Sequence, residues 1–172
     1  MSSSSDKIQE TYITGLRNQH AVENQAIELL ERQVGRLENY PEMAARMRQH
    51  IEESHEQARR IEELLSHFAT SHSSLKDTMM SAVGNMAALV HGTAQDEVIK
   101  NTFANFAFEH YEIASYISLL TLADLTGHSA ARSALEQSLK EEKEMAIWIA
   151  DHIDSTTRRY TELYTSGQKA GV

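Results

Sequence analysis

Apolar residues recur three and four positions apart in four long stretches of this chain. On a helix of 3.6 residues per turn that spacing gathers them into one stripe. In the first stretch the stripe reads Leu16, His20, Glu23, Ile27, Leu30, Val34 and Leu37. In the second it runs from Ile61, Leu64, Leu65 and Phe68 back through Gln57, Ser54, Glu53 and His50. The third reads Ile99, Phe103, Phe106, His110, Ile113, Ile117 and Leu120, with Glu109 and Glu112 on its two flanks. The fourth reads Leu135, Leu139, Glu142, Ala146, Ile149 and Ile153.

Punctuation between the stretches sets the expected boundaries. The first helix is expected over 6–39, with Asp6 as its N-cap. The second is expected over 41–70, opened by Pro41, whose missing N–H is no loss in a first turn. Ser71-His-Ser-Ser74 breaks the pattern, and Leu75, Met79, Met80, Val83, Met86, Ala87 and Val90 then suggest a short amphipathic helix. The third helix is expected over 95–126, closed by Gly127, and the fourth over 129–160. Residues 1–6 read as a disordered tail, 7–160 as the bundle and 161–172 as a frayed polar tail.

Two tight turns separated by one long connection describe an all-α, ferritin-like antiparallel four-helix bundle with a long crossover carrying its own short helix. Composition agrees. The chain of 172 residues has 7 Gly, 1 Pro and 6% aromatics, so helix formers dominate and one domain suffices. No run is long and apolar enough to span a membrane, and the N-terminus lacks the parts of a signal peptide. The absence of Cys excludes disulfides and thiolate metal sites and fits a cytoplasmic location. A net charge of −9 argues against a nucleic-acid partner.

The acids on the stripes carry the chemistry. Each helix places a carboxylate on or beside its buried face near mid-length: Glu23, Glu53, Glu109 with Glu112, and Glu142. A single buried carboxylate costs several kcal/mol unless paired or metal-bound. Several converging at one level repel one another, and cations relieve that repulsion. Carboxylates with one or two nitrogens suit Fe or Mn, and the two-fold pairing of hairpins suits two ions. His50, with His20 and His110, supplies the candidate nitrogens. Glu52 and His55 form a Glu-x-x-His pair, yet at 3.6 residues per turn Glu52 points nearly opposite the Ile61/Leu64/Phe68 face, so the expectation goes to Glu53, with His50 or Gln57 beside it. Glu141 and Glu144 read as a similar decoy. The methionines read as packing, and Trp148 and Tyr116 as core or interface residues.

His20-Ala-Val-Glu-Asn-Gln25, His50-Ile-Glu-Glu-Ser-His-Glu-Gln57, Phe108-Glu-His-Tyr-Glu-Ile-Ala-Ser-Tyr116 and Leu139-Lys-Glu-Glu-Lys143 occur in this order. In these segments the chain resembles the YciE/YciF family of ferritin-like bacterial proteins, over about residues 8–160. Asn39-Tyr-Pro-Glu42 and Glu142-Lys-Glu-Met-Ala-Ile-Trp148 resemble the YciE branch most. The resemblance implies a ferritin-like bundle, often homodimeric, linked to stress responses and classed as a candidate metal binder. Its recurring acids fall on Glu23, Glu53, Glu109, Glu112 and Glu142. The function expected is therefore a dinuclear Fe or Mn protein, reacting with peroxide or O2 if it catalyses anything. The alternative is a metal-free structural or interaction bundle acting as a homodimer.

Overall fold

A computed structural model of the chain describes residues 3–68 and 96–171. Among these residues the architecture is entirely helical: α1 (Ser4–Val34), α2 (Pro41–Ser66), α3 (Glu97–Leu125), a short 3-10 turn (Ser129–Ala131) and α4 (Arg132–Thr165). The expected crossover helix, its methionines, and His72 and His91 lie outside the described residues.

Contacts between helices fix the topology. Along α1 and α3, Glu23 meets Tyr116, Gln33 meets Asn105 and Arg36 meets Glu97, so the two run antiparallel. Along α2 and α4, His152 lies near Glu42 and Arg60 meets Glu141, so these also run antiparallel. With α1–α2 and α3–α4 joined as hairpins, the order is up-down-down-up. The end of α2 and the start of α3 then lie at opposite ends of the bundle, which is why a long connection is required.

Capping differs from expectation at both termini. Ser3, not Asp6, is the N-cap of α1. The Asp6 N–H donates to Ser3 Oγ at 3.1 Å and the Ser3 N–H to Asp6 Oδ2 at 2.8 Å, a capping box. At the other terminus α4 runs to Thr165, past the expected end at 160. Gly167, at φ +72°, then reverses the chain, and the His-free tail docks on the α1–α2 turn. Tyr40 Oη donates to the Ala170 carbonyl at 2.6 Å, and Asn39 Nδ2 to the Lys169 carbonyl at 2.8 Å. The polar look of residues 166–171 hides this because the hydrogen bonds go to backbone carbonyls and the one side chain that enters the core is the small Ala170. Gly127 closes α3 as expected, at φ +76° with the His128 N–H on the Ala123 carbonyl.

The core is split in two. One apolar cluster packs Ile27, Leu30, Tyr40, Met43, Met47, Ile51, Met145 and Ile149 near the Pro41 end. The other packs Tyr12, Leu16, Ile61, Leu65, Tyr116, Leu119 and Leu135 near the opposite end. In the second, a Cβ on Gly15 would stand 3.0 Å from Leu119 Cδ2, so glycine lets α1 and α3 approach closely there. Between the clusters lies a layer of buried polar side chains, and that layer holds the site. Among the described residues, no helix is long and apolar enough to cross a membrane.

Candidate metal centre

Three helices bring His50, Glu109 and Glu142 together, with one ligand atom from each lying within 4.8 Å of the others. Each is at most 2% exposed. His50 Nε2 stands 3.1 Å from Glu109 Oε2 and 3.7 Å from Glu142 Oε2. None of these approaches has hydrogen-bond alignment: Nε2, Glu109 Oε2 and both Glu142 oxygens lack hydrogen-bond partners.

The other nitrogen of His50 is engaged. Nδ1 lies 2.8 Å from Glu53 Oε2. Glu53 works against its own partial burial: His50, Arg46 and Gln49 together lower its pKa to about 2, so it is ionised. An ionised carboxylate can only accept, so Nδ1 carries the proton and Nε2 is the atom turned to the acids. Burial disfavours a charged His50, but Glu109, Glu53 and Glu142 outweigh it and raise its pKa well above 6.5.

Glu23 and Glu112 adjoin this group from α1 and α3. Gln19 Nε2 donates to Glu23 Oε1 at 2.8 Å and approaches Glu112 Oε1 at 3.4 Å. Tyr116 Oη donates to Glu23 Oε1 in a very short hydrogen bond, and Glu23 Oε2 has no partner. Burial, against the Tyr116 and Gln19 hydrogen bonds, pushes the Glu23 carboxyl up to about 7. Burial and then Glu142, Glu23 and Glu109 hold Glu112 well above 4.5. Glu142 is raised likewise by burial and Glu109.

The structure therefore brings together five of the six expected site residues: Glu23, His50, Glu109, Glu112 and Glu142. It does not bring Glu53 to them. Glu53 is partly exposed, and its oxygens are taken by Arg46, Gln49 and His50. Glu52 and His55 are exposed, as the helical phase indicated. His110 is exposed on the outside of α3, its Nδ1 on the Phe106 carbonyl. His20 reaches Glu62 Oε1 at 2.8 Å instead of the core.

The stripe expected on the third helix is corrected. α3 turns Val98, Thr102, Asn105, Phe108, Glu109, Glu112, Tyr116, Leu119 and Ala123 inward. Phe103 and Ile117 are 52% and 48% exposed. The reason is compositional: α3 carries apolar residues around most of its circumference, so apolar spacing alone does not fix its phase. The two acids fix it better, since Glu109 and Glu112 are both buried.

Two further features escaped the sequence reading. Gln19, not its neighbour His20, is fully buried beside Glu23. Glu141 is also buried, held by Arg60 through paired contacts of 2.6 and 3.0 Å and by Gln57 at 3.0 Å. These donors, together with Gln137, outweigh burial and lower its pKa, so Glu141 is a satisfied acid and its neighbour Glu142 is not. Ridge-adjacent acids with opposite fates are not separable within one helix, because the deciding cation sits on another.

The unpartnered atoms test whether metal ions suit this layer. Buried oxygens without donors, plus His50 Nε2, whose ring Glu53 orients through Nδ1, form a donor set that could hold a metal ion once Nε2 gives up its proton. His50, Glu109 and Glu142 can hold one ion.

Comparison with known proteins bears on the fold and the family. The protein YciF of Escherichia coli K12 is 31% identical over 155 residues, covering 84% of this chain and 89% of YciF. A crystal structure from Xanthomonas campestris superposes with a TM-score of 0.76 at 28% identity, over 92% of this chain and 99% of that one. The crystal structure of the E. coli stress protein YciF has a TM-score of 0.68 at 23% identity, over 88% and 98%, a likeness of fold. The family described as Domain of unknown function (DUF892) matches residues 7–162, and this chain belongs to that family, whose relatives include YciF.

Proposed function

We propose that this chain is a dinuclear Fe or Mn protein of the bacterial stress response, with the ions held in the polar layer between its two apolar cores. The observation that carries the reading is the set of buried atoms left without partners: His50 Nε2, Glu23 Oε2, Glu109 Oε2 and both oxygens of Glu142. Each such atom costs on the order of 1–3 kcal/mol, more when charged, unless something binds it. In this reading His50, Glu109 and Glu142 hold one ion and Glu23 and Glu112 hold the second, with Glu142 between them. Glu53 acts through His50 and fixes its tautomer. Bound Fe or Mn would supply redox reactivity toward peroxide or O2. The stress assignment rests on the relative YciF.

Calorimetric titration of chelator-treated protein with Mn2+ tests the reading. Wild type and Glu52→Ala are expected to bind two ions per chain, and Glu23→Ala and Glu142→Ala fewer. No binding above buffer would overturn it.

A second reading is favoured by α3. Its exposed residues Phe103, His110 and Ile117 alternate with the partly buried Phe106, Ile113 and Leu120 at spacings of three and four, a mostly apolar seam of the kind used in helix pairing. That seam supports a homodimer, in which the bundle acts as a metal-free interaction protein. Chelation then leaves the melting temperature unchanged, whereas the metal reading expects it to fall.

A further inference from the structure

A groove on the surface opens over the turn into α2 and the second half of α4. Its cavity volume is about 220 Å³, and Tyr40, Met43, Trp148, His152 and Arg159 are among its walls. A second, narrower cavity lies beneath it. The two share Met43, Trp148 and His152. The narrow one continues inward along Met47, Thr102, Asn105 and Met145, with a volume of about 10 Å³, room for roughly one water molecule.

The inner wall of this neck is one helical turn from the metal centre on three sides. Met47 precedes His50 by three residues on α2, Asn105 precedes Glu109 by four on α3, and Met145 follows Glu142 by three on α4. Residues three or four apart on a helix share a face. The neck therefore points at the His50/Glu109/Glu142 group, whose ligand atoms are unpartnered. On the far side, the fully buried Tyr116 and the second apolar core close the layer.

We propose that this neck is the route by which a small, uncharged molecule of the size of hydrogen peroxide or O2 reaches the His50/Glu109/Glu142 cluster from solvent. The inference rests on the metal reading for its purpose but not for its geometry. Size excludes an organic substrate, since the passage holds about one water. Charge is excluded by the walls. Between the mouth and the cluster they are thioethers, Ile149, a threonine and an amide, with no ionic partner to replace hydration. The polar walls are themselves occupied: Thr102 Oγ1 donates to the Val98 carbonyl, and the Asn105 amide exchanges hydrogen bonds of 2.8 and 3.2 Å with Gln33.

The mouth has a defined lip. Trp148 and His152 stack with ring centroids 3.9 Å apart at an interplanar angle of 16°. His152 Nδ1 donates to the Trp148 carbonyl at 2.7 Å, and Nε2 lies 3.4 Å from Glu42 on the opposite wall. Trp148, stacked on His152, thus lines both the groove and the neck where the two meet.

The methionines provide a readout that needs no metal. Peroxide transfers one oxygen atom to a thioether, which becomes the sulfoxide as the peroxide is reduced to water. Met43 lines the mouth, whereas Met145 is 0% exposed at the inner end. The test treats full-length, chelator-treated protein with hydrogen peroxide and follows sulfoxide at Met43, Met47 and Met145 by peptide mass spectrometry. Thr102→Phe fills the neck and is expected to slow Met145 several-fold while Met43 is little changed. Trp148→Ala widens the mouth and is expected to speed Met145 without accelerating Met43 to the same degree. Should Thr102→Phe fail to fold, Trp148→Ala alone decides the matter. If Met145 and Met43 change by one common factor, or Met145 responds to neither variant, oxidation proceeds by opening of the whole bundle and the neck is no route. A Mn2+ titration of the same samples separates the two claims. Absent metal binding with a neck-dependent Met145 overturns the metal reading alone, and binding with an indifferent Met145 overturns the route alone.

Discussion

Glu53 Oε2 lies 2.8 Å from His50 Nδ1, one turn away on α2, and this contact decides which nitrogen of His50 faces the core acids. Arg46 Nη1 at 3.0 Å and Gln49 Nε2 at 2.7 Å hold the carboxylate in place. Glu53 therefore belongs to the site without being aimed into it. Glu53→Ala is expected to leave the fold intact and to weaken Mn2+ binding by about 10–100-fold, because His50 then loses its fixed tautomer and ring orientation. Calorimetric titration reads this directly. Equal affinities for Glu53→Ala and Glu52→Ala would show that His50 needs no orienting partner.

Glu142 offers two oxygens with no donor, in a setting where burial and Glu109 already push its carboxyl toward the neutral form. Replacing it with an uncharged isostere should therefore have opposite effects in the two states of the protein. Glu142→Gln is expected to stabilise the chelated protein at about pH 8 by on the order of 1 kcal/mol, since a crowded negative charge disappears. The same variant should lose the stabilisation that Mn2+ gives the wild type. Melting temperatures with chelator and with Mn2+ measure both. A loss of stability in the chelated variant would mean that the charge of Glu142 is satisfied without metal.

The ion pair of Arg60 and Glu141 stands beside the same layer but has the opposite character. Its contacts of 2.6 and 3.0 Å are bidentate, and Ser138 and Gln57 complete the network. Removing Arg60 leaves Glu141 buried with only amide donors. Arg60→Ala is expected to cost on the order of 3 kcal/mol, reduced somewhat because the Arg60 side chain is 19% exposed. Urea denaturation at neutral pH measures the loss. Metal affinity should change little, because Glu141 contributes no unpartnered atom.

These contrasts explain how far the sequence could be read. On α1 and α4 a polar residue interrupts a mainly apolar stripe, and on α2 the apolar face continues into a polar one, so Glu23, His50 and Glu142 could be placed inward from helical phase and the Glu52/His55 pair outward, while Glu53 was placed too far in. On α3 the apolar residues leave the phase undetermined, and the stripe through Phe103 and Ile117 faces out. Adjacent residues were the harder problem. Gln19 and His20, or Glu141 and Glu142, differ by 100° of helix, and which is buried polar, ion-paired or unpartnered depends on residues from other helices. Glu62 draws His20 outward and Arg60 satisfies Glu141. No single-helix pattern contains that information. The docked tail at Ala170 was hidden for the related reason that Tyr40 reaches a backbone carbonyl.

The pH dependence of the chelated protein follows from the signs of its shifted groups. Glu23 is raised to about 7, and Glu112 and Glu142 well above 4.5, chiefly by burial. In the folded state these carboxyls hold protons that the unfolded chain releases above its ordinary value of 4.5. Their contribution is fully present below pH 4.5 and is lost as pH rises through the folded values. His50, raised well above 6.5, acts in the same direction: its contribution is complete below 6.5 and is lost as pH climbs past its folded value. Glu53, lowered to about 2, opposes them, and its contribution is lost only as pH falls from 4.5 toward 2. Chelated protein should therefore be most stable near about pH 5 and lose melting temperature steadily toward about pH 8. Mn2+ competes for the sites those protons occupy, so its stabilisation should be largest at the alkaline end and fade toward pH 5. A chelated protein whose melting temperature rises across that interval would show that Glu23, His50, Glu112 and Glu142 do not titrate as one crowded set. The case for cations between them would then lose its electrostatic basis.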